Sequence, residues 1–371
     1  MRVALIVPGG VDRGGEERVI PALLWLIERL ARRHDLHVLA LYQEPRPATY
    51  DLRRAAVQVV GRRFTRVRAL AYLLRSHRQA PFDVLHAFWA TPPGVLAVSA
   101  GRLVGRPVLL HLAGGEVAAR PEIGYGGLLR RRGRMWVRFA IRGASCVTAA
   151  SGPMLDAARR YRRDVERLPL GVDLVRWPRR NPRPRDPTRP AQLLHVGSIN
   201  AVKDHATLLG ALSILTASGA AVHLHVVGED TMGGRVQSLA HSLGLSKRVT
   251  FHGFLPHRSL RPLVETMDLH LVTSRHEAGP VALLEAAVAG VPSVGTDVGH
   301  VHDWAPDAAL AVPVGDAPAL AAAIGELLRD EPRRLRLADA AQARACREDA
   351  DWTADRVSML YQELTRSQGA S

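Results

Sequence analysis

The chain has 371 residues, 47% apolar and 23% charged, a composition that suits a globular protein of about two domains and excludes wholesale disorder. Its two cysteines exclude a disulfide scaffold and a cysteine-built zinc site. The net charge is +15, and only Lys203 and Lys247 among the 50 basic residues are lysines.

Short apolar segments alternate with helical patterns through the first half of the chain. This alternation indicates βαβ units and a parallel sheet. Strands are predicted at residues 3–7, 37–41, 57–60, 84–87, 107–111 and 146–150. Helices are predicted at residues 20–30, 67–75, 95–103, 128–142 and 153–161.

A proline-rich segment interrupts this alternation. Residues 176–190 hold five prolines, and residues 173–190 are predicted to be a linker. Beyond it, strands are predicted at residues 192–196, 222–227, 249–251, 269–272 and 293–295. The helices between and after them are predicted at residues 206–216, 235–243, 260–265, 280–289 and 317–328.

These patterns predict an α/β protein of two doubly wound, Rossmann-like domains that face each other across a cleft. The first domain is expected to span residues 1–172 and the second residues 191–351. In such folds, ligands bind at the carboxyl ends of the parallel strands, where glycine-rich turns and helix N-termini lie.

The charge is concentrated in the first half. Residues 1–190 carry +20 and residues 191–371 carry −5. Residues 130–139 mix arginine with apolar residues at helical spacing, which fits a helix on anionic lipid headgroups or a solvated arginine face. An anionic acceptor is a further alternative, and no recognised module favours nucleic-acid binding.

The sequence also predicts where the protein resides. The apolar run of residues 3–7 is too short for the core of a signal peptide. The longest segments without acidic residues, lysine or arginine are 84–101 and 205–228, and neither reads as a membrane span. We expect a cytoplasmic protein, or one held peripherally at the inner face of the membrane.

Two features of the first half could bind a ligand. Gly14 and Gly15 follow the first predicted strand, and they would let the backbone approach a ligand and point free N–H groups at it. An ordinary flexible loop is the alternative, and the spacing is not the dinucleotide fingerprint. His111 ends a predicted strand, where it could bind hydroxyls, move protons or be purely structural.

The second half offers a cation and two carboxylates. Lys203 precedes a predicted helix and could hold a phosphate, although a surface lysine is the alternative. Glu277 and Glu285 lie about two helical turns apart. Pro280 suits the first helical position, and that helix start could bind a phosphate between the carboxylates. Glu285 lies in an apolar run and needs a hydrogen-bond partner if it is buried.

At these residues the chain closely resembles the retaining glycosyltransferases of family 4, which have the GT-B fold. The resemblance covers nearly the whole chain, and residues 352–368 look like the family's last helix, which returns to the N-terminal domain. The matching motifs are E-x7-E at Glu277 and Glu285, P-x-G-V-D at residues 169–173, F-x-G at residues 251–253 and Gly-Gly-x-Glu at residues 14–17.

The resemblance implies that the second domain binds a nucleoside-diphosphate sugar without a metal or another cofactor. Glu277 would contact the donor sugar, with His111 as the second catalytic residue. Either Glu277 is a nucleophile or the leaving phosphate assists a same-face reaction, which we prefer. Glu285 would bind the ribose. The other donor-binding residues are expected to be Gly14, Gly15, Ser198, Lys203, Leu255, Gly279, Pro280 and Val281.

Two departures from the family pattern keep alternatives open. Ser198 stands where the family usually has an arginine, and Pro280 removes one N–H donor. The chain could therefore be a glycosyltransferase with a glycan, lipid-linked or small-molecule acceptor, a nucleotide-sugar epimerase, or a silent nucleotide-sugar-binding protein. The D-x-D at residues 349–351 is interpreted as capping the last helix. Acceptor specificity is expected in loops such as 43–56 and 113–127.

Overall fold

The computed structural model describes residues 1–369 and divides the chain into two compact units. The first unit is Met1–Gly171 with the C-terminal segment that begins at Ala350, and the second is Val172–Asp349. The predicted α/β class with two parallel-sheet domains is confirmed. Residues 173–190, expected to be a linker, are part of the second unit, where Trp177 is buried.

The first unit is built on an eight-stranded sheet. Its strands are β1 (Arg2–Val7), β2 (Asp35–Ala40), β3 (Ala48–Leu52), β4 (Ala55–Val59), β5 (Val84–Phe88), β6 (Val108–Leu112), β7 (Cys146–Ala149) and β8 (Val165–Arg167). They lie in the order β3-β4-β2-β1-β5-β6-β7-β8. Only the edge pair β3 and β4 is antiparallel. The apolar runs of the other strands are buried because helices cover both faces of the sheet.

Five helices follow strands of this sheet, and the structure extends several beyond their predicted bounds. They are α1 (Pro21–Ala31), α2 (Thr65–Gln79), α3 (Val95–Val104), α4 (Arg131–Gly143) and α5 (Gly152–Arg159). Helix α2 packs against α3, and α3 packs against α4. These three helices therefore form one continuous layer.

The second unit has a six-stranded, fully parallel sheet in the order β11-β10-β9-β12-β13-β14. Its strands are β9 (Ala191–Val196), β10 (Val222–Val227), β11 (Val249–Gly253), β12 (Leu269–Val272), β13 (Ser293–Thr296) and β14 (Leu310–Val312). Its helices are α6 (His205–Ala217), α7 (Arg235–Ser242), α8 (His257–Val264), α9 (Val281–Val288), α10 (Gly299–Trp304), α11 (Ala317–Arg329) and α12 (Glu331–Arg347).

The segment at residues 43–56, expected to be an acceptor loop, is mostly strand. Strand β3 occupies residues 48–52 and β4 begins at Ala55. The reason is a short alternation in which Leu52, Ala55 and Val57 are buried. The elements β8, β14, α10 and α12 were not predicted from the sequence. The strands β8 and β14 are very short, and α12 is rich in arginine.

The C-terminal helix α13 (Ala350–Gly369) belongs to the first unit and packs on α1. Arg29 of α1 forms a two-point ion pair with Asp351, with Nε–Oδ1 at 2.7 Å and Nη2–Oδ2 at 3.1 Å. Asp351 lies in the first turn of the helix, and its carboxylate is held by this arginine. Farther along, the buried Tyr361 hydroxyl is hydrogen-bonded to Nδ1 of His86 at 2.7 Å.

We expect Tyr361→Phe to destabilise the first unit by about 1–3 kcal/mol, because a buried ring nitrogen of His86 loses its partner. Met359→Ala, on an exposed position of the same helix, should change stability by less than about 0.5 kcal/mol. Urea unfolding of the full chain measures both. Equal effects of the two substitutions would contradict this role of the hydrogen bond.

Candidate functional site

The residues predicted to bind a donor in the second unit lie in the loops that follow parallel strands and in the first two turns of helix α9. Ser198 is exposed in the loop after β9, and Lys203 ends a short 3-10 turn there. Leu255 is half-buried after β11. Gly279 and Pro280 follow β12, and Val281 begins α9. The structure therefore brings this set to one edge of the sheet, the edge at which such folds bind ligands.

Close backbone packing joins these loops. The N–H of Gly228, after β10, donates to the carbonyl of Gly253 at 2.8 Å. A Cβ built on Gly228 would lie 2.0 Å from the carbonyl oxygen of Gly197. Only glycine fits at this position, and the loops after β9, β10 and β11 therefore pack directly on one another.

An ion pair connects the β9 loop to the β12 loop. Nζ of Lys203 lies 2.5 Å from Oε1 of Glu277, and the Ser274 hydroxyl donates to the same oxygen at 2.5 Å. The Asn200 side chain accepts a hydrogen bond from the Lys203 N–H at 3.2 Å. Sequence reasoning missed Ser274 and Asn200, although both lie within the motifs that it singled out.

A second ion pair supports the first. Arg275 Nη2 lies 2.9 Å from Oδ2 of Asp204, and the Arg275 N–H donates to the Val202 carbonyl at 2.8 Å. The Thr273 hydroxyl donates to the Lys203 carbonyl at 2.7 Å. The backbone on both sides of Lys203 is thus held in place, which positions its side chain for the contact with Glu277.

Helix α9 begins one residue later than predicted. Pro280 has extended backbone angles and is the N-cap, so the expectation that it takes the first helical position is wrong. Its carbonyl accepts the N–H of Leu283 at 3.2 Å. A Cβ on Gly299, which has φ +49°, would lie 2.9 Å from Cβ of Glu277. The start of α10 therefore lies against Glu277, a contact that the sequence did not predict.

Glu285 is buried within α9. Burial raises the pKa of its carboxyl to about 8. Its Oε1 lies 3.3 Å from Nε2 of His257 but accepts no hydrogen bond among the described residues. Burial also lowers the pKa of His257. The pair is therefore a neutral acid beside a neutral imidazole at pH 7, and the acid can accept new hydrogen bonds from a ligand.

In the first unit, the glycine-rich loop differs from expectation. The Gly14 N–H donates to Oδ2 of Asp12 at 3.1 Å, and the Gly15 N–H donates to the Asp12 carbonyl at 2.9 Å. Asp12 therefore satisfies both amides, in the way that aspartate often closes a turn. The free N–H groups expected at these glycines are not present in this structure.

His111 is the last residue but one of β6 and is completely buried. Its Nδ1 is hydrogen-bonded to the Thr148 hydroxyl at 2.8 Å, and its Nε2 has no partner among residues 1–369. Burial lowers the pKa of His111 to about 3. The imidazole is therefore neutral at physiological pH, which suits a hydrogen-bonding role better than proton transfer.

A further buried carboxyl lies close to His111 in sequence. Oε1 of Glu116 accepts the Ala113 N–H at 3.0 Å, and its Oε2 is buried without a partner among the described residues. Burial raises the pKa of Glu116 to about 7. The sequence analysis assigned it no role. The sequence signal that could have indicated a role for Glu116 was its position shortly after His111 and directly after two glycines.

Neither a cluster of metal-binding side chains nor a membrane-spanning helix is found among the described residues. Across residues 1–369, no group of three or more histidine, cysteine, aspartate or glutamate side chains is arranged to hold a metal ion. None of the described helices is both long enough and apolar enough to cross a bilayer.

We expect Glu285→Gln to change how stability depends on pH. The raised pKa keeps the folded protein protonated while the unfolded chain ionises, so wild-type stability falls as pH rises from about 4.5 to about 8. Glutamine cannot ionise, so the substitution removes this loss. The melting temperature of the variant minus that of wild type should therefore become more positive as pH rises across that window. Calorimetry from pH 5 to pH 8 measures it, with the exposed Glu326→Gln as control. A difference independent of pH would contradict the assignment.

Comparisons with known proteins agree with this arrangement. Residues 19–171 match the family described as "Glycosyl transferase 4-like domain". Residues 179–344 match the family described as "Glycosyl transferases group 1". The two matches fall in the first and second units respectively.

Individual relatives match over part of their length. The 2-deoxystreptamine N-acetyl-D-glucosaminyltransferase of Streptomyces fradiae is 30% identical over 281 residues, which is 70% of this chain and 66% of that protein. The glycogen synthase of Mycobacterium tuberculosis is 32% identical over 184 residues, 49% of this chain and 44% of that protein. The chain thus spans about half the length of the first curated relatives it matches.

The fold has close counterparts among solved structures. Anabaena HepE in complex with UDP-glucose superposes with a TM-score of 0.77 at 19% identity, covering 98% of this chain and 100% of that chain. At this identity the likeness concerns the fold alone. The two family matches together place this chain in the family-4-like glycosyltransferases of group 1.

Proposed function

We propose that the protein is a retaining glycosyltransferase that moves a hexosyl group from a nucleoside-diphosphate sugar to an acceptor. The acceptor would be a glycan, a lipid-linked precursor or a small molecule bound by the first unit. One observation carries the proposal. The Lys203 ammonium and the Glu277 carboxylate lie 2.5 Å apart, on loops that follow two parallel strands of the second unit.

Similar proteins support this donor class. HepE, which shares the fold, was crystallised with UDP-glucose. The Streptomyces fradiae relative is named as an N-acetyl-D-glucosaminyltransferase. Both names refer to hexose derivatives, and a nucleoside diphosphate offers the anionic group that a lysine and a helix start can bind.

Donor binding would rearrange the ion pair. The diphosphate would take the Lys203 ammonium, and the N–H groups of Gly279 and Val281 would add hydrogen bonds at the start of α9. Glu277 would then be released to accept hydroxyls of the sugar. Glu285, whose Oε1 accepts no hydrogen bond from described residues, would accept those of the ribose. The backbone at Leu255 would contact the base.

The proposed chemistry follows from where charge develops. The bond from C1 of the sugar to the leaving phosphate oxygen breaks, while the acceptor oxygen bonds to the same face of C1. The acceptor proton passes to the leaving phosphate. Negative charge grows on that phosphate, and Lys203 and the helix-start amides would stabilise it. In this scheme no metal ion is required.

The first unit would contribute from its own strand ends. His111, neutral and buried, would bind a hydroxyl of the transferred sugar through Nε2. Gly14 and Gly15 would approach the donor once their loop exchanges the Asp12 contacts for ligand contacts. Exposed Ser198 supplies no cation, so Lys203 would be the main positive charge on the diphosphate. The protein would work in the cytoplasm or at the inner face of the membrane.

We expect Lys203→Met to weaken nucleoside-diphosphate binding roughly 10- to 100-fold, because it removes a hydrogen bond to a charged group worth about 1.5–3 kcal/mol. Lys247→Met removes the only other lysine, which is exposed, and should leave affinity unchanged. Calorimetric titration with UDP, GDP and ADP, each with and without EDTA, measures both.

Incubation with the nucleotide sugars of the best-binding nucleoside diphosphate then separates the alternatives. Nucleotide binding that is insensitive to EDTA, together with sugar transfer from such a donor to an acceptor, supports the proposal. Binding without transfer to any acceptor would favour a silent nucleotide-sugar-binding protein, and epimer formation would favour an epimerase. Equal losses in both lysine variants would contradict the role of Lys203.

A further inference from the structure

One side of the first unit carries an unusual charge pattern. We use the name α2–α4 surface for residues 62–79, 95–104 and 130–143, which comprise the layer of α2, α3 and α4 with the residues that lead into α2 and α4. These segments contain no aspartate or glutamate and 13 arginines, all of them exposed. The surface is therefore strongly positive at every physiological pH.

These arginines differ from those elsewhere in the protein. Within residues 1–369, none of the 13 forms an ion pair with a carboxylate. Arg134 and Arg142 donate only to the backbone carbonyls of Leu128 and Tyr161. By contrast, Arg29 and Arg356 of the same unit are paired with carboxylates. The positive charge of this surface is thus available for an external partner.

Large apolar side chains project from the same surface. Phe64, Val67, Leu103, Met135 and Trp136 are between 36% and 70% exposed. Isolated exposed apolar residues are normal on any protein. Five of them set among unpaired arginines on adjacent helices are a different pattern, one that indicates an interaction site.

Aromatic rings on this surface lie close to arginine guanidinium groups. Phe64 has φ +54°, the left-handed conformation, which a bulky residue rarely adopts. The Arg63 guanidinium lies 5.2 Å from the centre of its ring. On the neighbouring helices, the Arg102 guanidinium lies 4.9 Å from the Phe139 ring, and Trp136 packs edge-on against Phe139. Aromatic rings and guanidinium groups therefore lie side by side.

We propose that the α2–α4 surface docks on an anionic lipid membrane. Arginines would bind lipid phosphates, while Trp136, Met135, Leu103 and Phe64 would enter the boundary between headgroups and acyl chains. A second copy of this face would carry the same positive charge and be repelled. Nucleic acid would satisfy the arginines but offers nothing to the aliphatic side chains. A lipid surface satisfies both.

The inference rests on the proposed location at the inner face of the membrane and not on the donor chemistry. The α2–α4 surface belongs to the first unit, whereas Lys203, Glu277 and Glu285 belong to the second. Vesicle binding and nucleotide binding can therefore fail independently, and each can be measured on the same variant.

The test is co-sedimentation of the full chain with vesicles. We expect at least tenfold tighter binding to vesicles of 30% phosphatidylglycerol in phosphatidylcholine than to pure phosphatidylcholine, and a loss of most binding when NaCl rises from 0.1 M to 0.5 M. The pair Met135→Ser and Trp136→Ser should weaken binding at least fivefold. The triple change Arg131→Gln, Arg134→Gln and Arg138→Gln should do the same and reduce the salt dependence.

Matched controls lie on the second unit. Ile214→Ser with Leu243→Ser removes two exposed apolar residues, and Arg248→Gln, Arg336→Gln and Arg347→Gln remove three exposed positive charges. Both controls should bind vesicles like wild type, and an unchanged urea unfolding transition of the full chain confirms that every variant is folded.

Several outcomes would overturn the proposal. Equal binding to both vesicle types would do so, as would equal losses in the control variants. Complete displacement of the protein from the vesicles by millimolar glycerol phosphate would show that the surface is a site for free phosphate. The protein could instead bind nucleic acid and no vesicles, with an affinity that Met135→Ser and Trp136→Ser together leave unchanged. That result would assign the surface to nucleic acid.

Discussion

The ion pair between Lys203 and Glu277 is the interaction on which the candidate site depends. It joins the loop after β9 to the loop after β12, and the Ser274 hydroxyl donates to the same carboxylate oxygen. Because the lysine and the carboxylate are paired with each other, the proposed donor would have to replace this ion pair. A nucleoside-diphosphate sugar would supply both a negative group for the ammonium and hydroxyls for the carboxylate.

Each unit holds a buried polar side chain with an unused hydrogen-bonding atom close to its candidate ligand-binding edge. Glu285 in the second unit and His111 in the first are buried, and burial holds both in their neutral forms. Each has one side-chain atom that lacks a hydrogen-bond partner among the described residues. Such atoms are costly in a folded protein unless a ligand or water completes them. Their positions at strand ends and in α9 are consistent with ligand contacts in both units.

The sequence was sufficient to predict the α/β class and to group the candidate donor residues at one sheet edge, because apolar strand runs and loop motifs are local signals. It failed where an outcome depended on the backbone conformation of a loop or on which groups pair with one another. Pro280 became the N-cap because its backbone is extended. The amides of Gly14 and Gly15 were taken by Asp12, and residues 43–56 paired along a sheet edge. The crowding of Gly299 against Glu277 arises only when two loops meet.

The central claim is that donor binding transfers Lys203 from Glu277 to the diphosphate. The most direct measurement is the affinity for the best-binding nucleoside diphosphate, which has no sugar for Glu277 to contact, in wild type, Glu277→Gln, Lys203→Met and the double variant. We predict that Glu277→Gln tightens binding when Lys203 is present, because the competing carboxylate is gone, and has no effect in Lys203→Met. The same effect of Glu277→Gln in both backgrounds, or weaker binding with Lys203 present, would contradict the account.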